Sequence, residues 1–433
     1  MSDELDQIKF HFDIIKKCSV KAKHGIALLA TFPGSRYPYC YPRDTAACAR
    51  FLRKILEKSE EESLSKEAYN LLKGIAEFIL HTQKENGYWG QRYDTSCKEQ
   101  SIYKQEDNVA HGMIVLEEYI LSNAFLGKTP KWSEEIGNAI EKASEFALHH
   151  YYRPEINLFY TTTSIHESRI VQGFDVWTNF AYLRAFELAE WIIESVERPD
   201  LFPTIRTFRT QFQKSLFRTF TVSDSRLVRR INGEGHYDFR PDITLLAPFY
   251  FGFENRDPIL TREAVETVER ELWDPELDGI DRYLPYHDDF TCHLHSGNGP
   301  WMQYTAILAQ YKYLHNDIEG GDKILKIIDE NRTEEGFIPE HLTTPRRFKA
   351  FMATEWNTGL DARKDFDRRA LIPEVSYDFI VDELVHMKTS YKKVDEQVYE
   401  TENSLKFAAP LMWSHVEYGL ALLNRLNILN NKL

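Results

Sequence analysis

Helical periodicity runs through most of the chain and limits the folds that it can adopt. Ten segments place apolar side chains at positions i, i+3, i+4 and i+7, whereas alternating strand-like runs are few. These segments are Thr45–Leu56, Leu64–Gln83, Asn108–Phe125, Ser133–His149, Trp177–Glu194, Ile205–Phe220, Thr261–Leu272, Trp301–Leu314, Asp322–Glu330 and Ser414–Leu429. So many helices with so few strands predict an all-α fold.

The segments that join these helices are long and rich in Gly, Pro, Tyr, Trp and acidic residues. They recur after about every second helix, and connections of this length are uncommon unless they carry function. They are Ala30–Asp44, Gly87–Asn108, Asn157–Trp177, Gly279–Pro300 and Glu335–Pro410. This regular spacing of long connections is typical of a ring of helix pairs with its active-site loops at one end. No low-complexity linker divides the chain, so residues 1–433 are interpreted as one catalytic domain with a charged, partly helical insertion at residues 345–402.

The composition narrows the classes of protein to which the chain could belong. With 42% hydrophobic and 28% charged residues, a well-packed globular protein is expected. The formal net charge of −14 disfavours nucleic acid and anionic membranes as partners, because both bind basic surfaces. It is compatible with a neutral substrate. The 23 Tyr and 8 Trp could stack on sugar rings, although a large core is the simpler explanation.

The cysteines and the N-terminal sequence indicate the cellular compartment of the protein. The five cysteines, an odd number without regular spacing, are typical of reduced thiols; they are Cys18, Cys40, Cys48, Cys97 and Cys292. The N-terminal sequence lacks the basic start and apolar run of a secretion signal. No stretch of about 18 apolar residues could span a membrane. We therefore expect a cytoplasmic protein.

The segment Tyr37-Pro-Tyr-Cys-Tyr-Pro-Arg43-Asp44 ends in an Arg–Asp pair just before a helix. Such a pair can make charge-assisted hydrogen bonds to vicinal hydroxyls; the alternative is a helix-capping Asp44 with Arg43 in a surface ion pair. The segment resembles one in the glucoamylase family of glycoside hydrolases (family 15). The resemblance implies that Arg43 and Asp44 grip hydroxyls of a terminal glucose and that Tyr37 lies close to the glycosidic bond. Tyr41 stands where the family usually has Trp.

A second segment, Thr163-Ser-Ile-His-Glu167-Ser-Arg169, is followed by Gly173 and a predicted helix. It resembles the family's Asp-Leu-Trp-Glu-Glu, whose first glutamate is the general acid, and this implies that role for Glu167. Here His166 replaces the usual Trp, and Ser168 replaces the second acid. By residue type alone, a glutamate in a loop is more often a solvated carboxylate.

The third segment is Gly279-Ile-Asp-Arg282-Tyr283, followed by Asn298-Gly-Pro300-Trp301-Met-Gln-Tyr-Thr305. It resembles the family's Gly-x-x-Arg-Tyr and Asn-Gly-x-Pro-Trp with a Thr-containing helix. The resemblance implies that Arg282 contacts the bound sugar and that Trp301 forms a wall of the pocket. A simpler interpretation has Pro300 opening a helix with Trp301 buried in it, and the two are compatible.

Two glutamates are candidates for the catalytic base. Glu340, in Gly336-Phe-Ile-Pro-Glu340-His341, directly follows a predicted helix, as the family pattern requires. Glu396 has the more family-like spacing to Trp413 in Pro410-Leu-Met-Trp413-Ser414. We favour Glu340, because Glu396 lies in a Lys- and Glu-rich run typical of an exposed helix end.

Two other polar groups receive no role. Gln105-Glu-Asp107-Asn108 stands where relatives carry Gln-Arg-Asp-Gly, and this weaker match assigns nothing firm to Asp107. A cluster of metal-ligating residue types lacks a recognisable ligand spacing, so no metal is predicted; its members are His287, Asp288, Asp289, Cys292, His293 and His295.

Acetal hydrolysis needs one carboxyl to protonate the leaving oxygen and a second, ionised carboxylate. The resemblance implies an (α/α)6 toroid bearing an inverting, exo-acting α-glycosidase of the glucan 1,4-α-glucosidase type, with Glu167 as acid and Glu340 as base. Its substrate would be a short α-glucan or oligosaccharide, without cofactor, nucleic acid or membrane, and the oligomeric state stays open. The alternatives are a disaccharide-specific hydrolase such as a trehalase, or a catalytically silent sugar-binding or regulatory protein on the same scaffold.

Overall fold

The structure, a computed structural model, describes residues 2–166, 172–192, 202–222, 226–284, 299–350, 372, 398–400 and 404–431. Each of the ten predicted helices is present, with ends that differ from the prediction by a few residues. The helices are α1 (Ser2–Lys17), α2 (Pro42–Lys58), α3 (Glu62–Thr82), α4 (Asp107–Phe125), α5 (Ser133–His150), α6 (Val176–Ile192), α7 (Phe202–Phe220), α8 (Ala247–Tyr250), α9 (Pro258–Glu271), α10 (Met302–Leu314), α11 (Ile318–Glu330), α12 (Pro345–Ala350) and α13 (Met412–Asn431).

Six of these helices form an inner ring in the described part of the chain. α2 packs against α4, α4 against α6, α6 against α8, and α10 against α13, which closes onto α2. Phe249 of α8 and Tyr311 of α10 join the remaining pair, with ring centroids 5.2 Å apart. Outside the ring, α3, α5, α7, α9, α11 and α1 each pack against an inner helix. The predicted all-α (α/α)6 toroid of paired helices is confirmed.

Inner and outer helices differ in how their side chains are buried. α10 buries every residue from Met302 to Tyr311, so that all its faces are enclosed. In the outer α3, buried residues follow a single stripe that includes Ala68, Leu72, Ile75 and Ile79. A helix enclosed by protein is apolar on every side, whereas a helix at the surface needs one apolar face. The core therefore lies between the two layers of helices.

The long connections meet at one end of the ring. Each of the five predicted ones leads into the first residues of an inner helix: residues 30–44 into α2, 87–108 into α4, 157–177 into α6, 279–300 into α10 and 335–410 into α13. The inner helices consequently run in the same direction, with their N-termini at the end where the connections lie. This is the arrangement expected for a site built from loops.

Short antiparallel strands stabilise the connections. They are β1 (Ser19–Lys21), β2 (Ile26–Leu28), β3 (Tyr152–Arg153), β4 (Leu158–Phe159), β5 (Gly173–Asp175), β6 (Thr221–Val222), β7 (Arg226–Leu227), β8 (Arg230–Asn232), β9 (Tyr237–Asp238), β10 (His341–Thr343), β11 (Val398–Glu400) and β12 (Leu405–Phe407). Two of the sheets have three strands, and one of these has the order β10-β12-β11, with His341 opposite Phe407 and Thr343 opposite Leu405. It fixes the backbone that follows Glu340.

Three helices were not predicted. The most consequential is α8, a single turn preceded by the 3-10 turn Ile243–Leu246 and ended by Gly252, whose φ is +82°. A four-residue apolar run cannot be identified as a helix from its periodicity. α1 and the short α12 also went unrecognised. Because α8 is so short, the inner ring is incomplete at the end away from the connections.

The predicted insertion at residues 345–402 is described only in part. α12 lies at its start, and β11 near its end pairs with β12; the remainder lies outside the described residues, and the insertion stays a prediction. Among the described cysteines, Cys18, Cys40, Cys48 and Cys97 are free. Within the described residues, no helix has the length and apolar character needed to cross a bilayer.

Candidate active site

A pocket opens at the end of the ring where the connections meet. Its cavity volume is about 70 Å³. All of the predicted site residues that the structure describes line it: Tyr37, Arg43, Asp44, Arg282, Trp301 and Glu340. They come from four separate parts of the chain, so the fold brings together residues that are distant in sequence. Trp413, Gln303 and Tyr304 complete much of the wall.

Arg43 and Asp44 lie in the first turn of α2 and are 5% and 6% exposed. Tyr41 is the N-cap residue and Pro42 opens the helix, so Asp44 does not cap it. Arg43 Nε lies 3.7 Å from Asp44 Oδ1, and the guanidinium lies over the ring of Trp413 at 5.5 Å. The alternative of a capping Asp44 with Arg43 in a surface ion pair is therefore wrong. Both charged groups face the pocket.

Glu340 is held in the pocket by its backbone and by a tyrosine. Its N–H donates to the Phe407 carbonyl at 2.9 Å, and its carbonyl accepts from Met302 N–H at 3.0 Å. The Tyr37 hydroxyl donates to Glu340 Oε2 at 3.0 Å. Burial by itself would raise the pKa of Glu340, but His341, Arg36 and Arg282 together lower the pKa below the ordinary value. The carboxylate is thus ionised and hydrogen bonded.

Trp301 forms a rigid wall because it is stacked from behind. Its ring stacks on His341 with centroids 4.9 Å apart, and His341 stacks on Phe407 at 4.8 Å. The Arg282 guanidinium lies over the Trp301 ring at 4.5 Å. Trp301 is the N-cap of α10 and not part of the helix, which begins one residue later than predicted. Trp301 is 4% exposed, so it is both buried and part of the pocket wall, and only its expected place inside the helix is corrected.

The backbone conformation at Gly299, the residue before Pro300, requires a glycine. Gly299 has φ +149°, and a Cβ added there would lie 2.1 Å from the Leu342 carbonyl oxygen. Leu342 N–H donates to the Pro300 carbonyl at 2.9 Å, so the two segments run against each other at that point. Any side chain at position 299 would separate them. The Gly-Pro-Trp sequence thereby holds Trp301 and Glu340 on neighbouring backbones.

Glu167, the predicted acid, lies outside the described residues, but the residue before it is held next to the pocket. His166 is 2% exposed. Arg282 donates through Nε to His166 Nδ1 at 3.1 Å and through Nη2 to the Ile165 carbonyl. On its other side, His166 Nε2 lies 3.0 Å from Asp242 Oδ2. The same arginine that lines the pocket therefore anchors the segment that carries Glu167.

Asp242 holds the second ring nitrogen of this anchoring histidine. Burial alone would raise the pKa of Asp242, but His166 and Arg229 hold it well below the usual range. Arg229 Nη1 donates to Asp242 Oδ2 at 2.7 Å. Because His166 Nδ1 accepts from Arg282, its proton lies on Nε2 and is donated to Asp242. The imidazole is thereby fixed in one tautomer and orientation.

The remaining predicted groups are placed as follows. Glu396, the second candidate for the base, lies outside the described residues, as does the cluster from His287 to His295. Asp107 is fully buried at the start of α4, with Oδ2 3.4 Å from His111 Nε2. In the described part of the chain, no group of three or more His, Cys, Asp or Glu side chains could hold a metal ion.

Sequence reasoning missed several residues of this region. Trp413 was used only to locate a helix start, yet it lines the pocket; the signal available was its place in the first turn of an inner helix, shared with Gln303 and Tyr304. Asp175 was also missed. Burial raises its pKa to about 7, although Thr178 and Ser164 donate hydrogen bonds to Oδ1 that lower it.

The pocket can hold a small, neutral molecule that is rich in hydroxyl groups. Arg43 and Arg282 supply donors, Asp44 and Glu340 supply acceptors, and their charges offset one another. Trp301 and Trp413 add apolar aromatic surface to the wall of the pocket. Charge-assisted hydrogen bonds from fixed side chains would orient such a molecule.

No family model matches the sequence, and no curated protein matches it. Solved structures do. A glycosidase variant in complex with glucose has a TM-score of 0.63 and 16% identity, over 99% of each chain. The glucoamylase of Saccharomycopsis fibuligera has a TM-score of 0.62 and 15% identity, over 98% of this chain and 95% of that one. The chain has a glucoamylase-like fold.

A bacterial glucoamylase complexed with acarbose extends the comparison. Its TM-score is 0.56 at 14% identity, covering 90% of this chain and 49% of the other. At these identities the likeness is one of fold.

Proposed function

We propose that the protein is a glycoside hydrolase, an inverting, exo-acting α-glycosidase that releases terminal glucose from short α-glucans or oligosaccharides. The observation that carries the proposal is the ionised Glu340 carboxylate in a pocket that also holds the Arg43–Asp44 pair and Trp301. Two further facts support it: one structural neighbour was solved with glucose and another with acarbose.

In the proposed mechanism, Glu340 is the general base. It takes a proton from a water molecule, whose oxygen attacks the anomeric carbon on the face opposite the leaving group. The hydrogen bond from Tyr37 fixes the carboxylate and keeps one of its oxygens occupied. The lowered pKa of Glu340 keeps the base ionised near neutral pH.

Glu167 is the proposed general acid, which protonates the glycosidic oxygen as the bond breaks. An inverting enzyme needs its two carboxyl groups about 6.5–9.5 Å apart, so that water fits between one of them and the sugar. The bonds from Arg282 to Ile165 and His166 support this placement, because Glu167 is the next residue. Arg282 would then contact both the sugar and the segment of the acid.

The position of the charged pair supports exo attack. Arg43 and Asp44 would bind vicinal hydroxyls of the terminal sugar, and the buried first turn of α2 leaves little room for a further sugar unit beyond it. A substrate would therefore enter with its non-reducing end first. The sugar unit at the non-reducing end of the substrate is then the one released.

The experiment is hydrolysis of maltose, maltooligosaccharides, isomaltose and trehalose, followed by proton NMR of the first-formed glucose anomer. Inversion of an α-linked substrate gives β-glucose, so initial release of α-glucose contradicts the mechanism. Hydrolysis of trehalose alone would favour a disaccharide-specific hydrolase. Sugar binding by calorimetry without turnover would indicate a silent sugar-binding scaffold.

The base is tested by comparing Glu340→Gln with Glu396→Gln, which make the same chemical change. Glu340→Gln is expected to lower kcat by at least about a hundredfold, because the amide cannot accept the proton of the water. Glu396→Gln should leave kcat within about twofold of the wild-type value. The reverse result would assign the base to Glu396.

A further inference from the structure

The first turn of α13 lies against the backbone that leads to Glu340. The imidazole Nε2 of His415 accepts a hydrogen bond from Ile338 N–H at 3.0 Å. The Ser414 hydroxyl donates to the Pro339 carbonyl at 2.9 Å. His415 and Ser414 are both 0% exposed. Two buried side chains of an inner helix therefore hold the two residues that come directly before the proposed base.

The Ile338 N–H is the last backbone donor before that of Glu340, because Pro339 has no N–H. The Ile338 carbonyl accepts from Leu411 N–H at 3.0 Å, and Glu340 N–H donates to the Phe407 carbonyl at 2.9 Å. The backbone polar groups from the Ile338 N–H to the Glu340 N–H are therefore all hydrogen bonded, two of them by side chains of α13. Since a side chain follows the backbone that carries it, these bonds bear on where the Glu340 carboxylate lies.

His415 can accept this hydrogen bond in one neutral form only. Because Nε2 is the acceptor for a backbone N–H, the proton of the neutral ring lies on Nδ1. That Nδ1 is 2.8 Å from Nδ1 of His11 in α1, a residue that is also 0% exposed. His415 therefore donates to His11, and this second histidine fixes the tautomer of the first.

The surroundings of the two rings keep both of them neutral. Burial is the main reason that the pKa of each histidine lies well below the ordinary value, and the positive charge of Arg332 lowers both pKa values further. Arg332 Nη2 lies 3.3 Å from His11 Nε2. A protonated His415 would carry a proton on Nε2 as well and would lose the bond from Ile338. The neutral pair therefore preserves the acceptor that holds the backbone.

We propose that His415 is a positioning residue for the Glu340 carboxylate and that Ser414 assists it. In the described structure neither of these two side chains lines the pocket, so they act through the backbone of the two residues before Glu340. The role rests on the proposed function, in which Glu340 is the base. A catalytic group displaced by about 1 Å from its working position can cost about a hundredfold in rate.

The test compares His415→Phe with His415→Gln in the full chain. Phenylalanine keeps a ring but has no acceptor, whereas the amide oxygen of glutamine can accept from Ile338 N–H in place of Nε2. His415→Phe should lower kcat on maltose by about tenfold or more, and KM should change by less than about threefold, because the groups that would bind the sugar are untouched. His415→Gln should restore kcat to within about threefold of the wild-type value.

A second variant and a control separate positioning from stability. Ser414→Ala removes the donor to the Pro339 carbonyl and should lower kcat by about threefold to tenfold at nearly constant KM, so the test stands even if His415→Phe fails to fold. Leu72→Ala truncates a side chain that is 0% exposed in the outer helix α3, which packs on α2 and α4. It should destabilise the protein and leave kcat of the folded enzyme within about twofold of wild type.

Crystal structures of wild type and the two His415 variants give a readout that needs no turnover. The distance from Tyr37 Oη to Glu340 Oε2 should stay near 3.0 Å in wild type and His415→Gln and should exceed about 3.5 Å in His415→Phe. An unchanged distance in His415→Phe, an equal kcat loss in both His415 variants, or an equal loss in Leu72→Ala would overturn the positioning role. A wild type that moves Glu340 as expected but hydrolyses no glycoside would contradict the proposed function alone.

Discussion

The hydroxyl of Tyr37 donates a hydrogen bond of 3.0 Å to Oε2 of Glu340, a residue 303 positions away in the sequence. The bond reaches an ionised carboxylate, and a donor of this kind favours the charged form. It joins the connection before α2 to the connection before α13. It also gives a direct way to test the role of Glu340 without removing its carboxyl group.

Tyr37→Phe removes that donor and leaves the ring in place. The pKa of Glu340 should rise, because its charged form loses a hydrogen bond, so the acid limb of the kcat/KM profile should move to higher pH. We expect kcat/KM at the optimum to fall by roughly tenfold. Tyr39→Phe, a change outside the pocket lining, serves as the control. An unmoved acid limb would mean that Glu340 is not the group that titrates.

Glu167→Gln is expected to lower kcat on maltose by at least about a hundredfold while the fold persists. An acid matters less when the leaving group departs readily, so the loss on an aryl α-glucoside with an acidic phenol should be far smaller. By contrast, a variant that lacks the base should lose a similar factor in kcat on maltose and on the aryl α-glucoside. Glu155→Gln, at an exposed position, is the control. Near-normal turnover of maltose by Glu167→Gln would refute the assignment of the acid.

Asp175→Asn is expected to stabilise the protein at high pH. The pKa of Asp175 is raised to about 7 by burial, against about 3.9 in the unfolded chain. Above pH 4 the unfolded state therefore holds fewer protons, and stability is lost as the pH rises towards 7, by about 1.4 kcal/mol per pH unit. Asparagine keeps the Oδ1 acceptor for Ser164 and Thr178 and does not ionise.

The measurement is urea unfolding of wild type and Asp175→Asn at pH 5 and pH 8. The free energy of unfolding of the variant minus that of wild type should increase from pH 5 to pH 8 by up to about 3 kcal/mol. Asp6→Asn, at an exposed position, should show no such growth. A constant difference between wild type and Asp175→Asn would contradict the raised pKa.

The buried pair His11 and His415 should destabilise the fold in acid. Their Nδ1 atoms lie 2.8 Å apart, and burial holds the pKa of each well below the ordinary value. Below about pH 6.5 the two histidines are protonated in the unfolded chain but stay neutral in the folded chain. The free energy of unfolding therefore falls by about 1.4 kcal/mol for each histidine and each pH unit of acidification.

His11→Phe removes one of these titrating groups and keeps a ring beside Tyr418. The decline in unfolding free energy between pH 6.5 and pH 5 should therefore be shallower than in wild type, measured by urea unfolding at each pH. His236→Gln removes an exposed histidine and should leave the decline unchanged. If the unfolding free energy of His11→Phe declines as steeply as that of wild type, the histidine pair does not account for the sensitivity to acid.

Much of the ring could be predicted because helical spacing is a local property. Residues such as Leu72 and Ile79 in α3 become neighbours through the helix itself, so their pattern is visible without knowledge of the fold. α8 could not be found that way, since one turn of Ala247–Tyr250 has no period to detect.

The pocket residues could be proposed from loop sequences, but their arrangement could not. Glu340 and Phe407 form a backbone hydrogen bond across the predicted insertion, and nothing local in either segment specifies that pairing. Likewise, the Arg282–His166 bond joins two connections that precede different inner helices. His166 stands where the resemblance leads one to expect tryptophan, and its described contacts with Asp242 and Arg282 could not be foreseen from the sequence.

The antiparallel pairing of β10 with β12 brings Thr343 opposite Leu405, so the chain departs from the ring and re-enters it at adjacent points. The backbone hydrogen bonds of Glu340 to Phe407 and Met302 lie on the ring side of this junction, so a change in chain length between β10 and β11 should leave Glu340 in place. That makes this junction a natural place to shorten the chain or to graft a foreign domain. A binding module placed there would be tethered close to the mouth of the candidate active-site pocket, with Glu340 left in register.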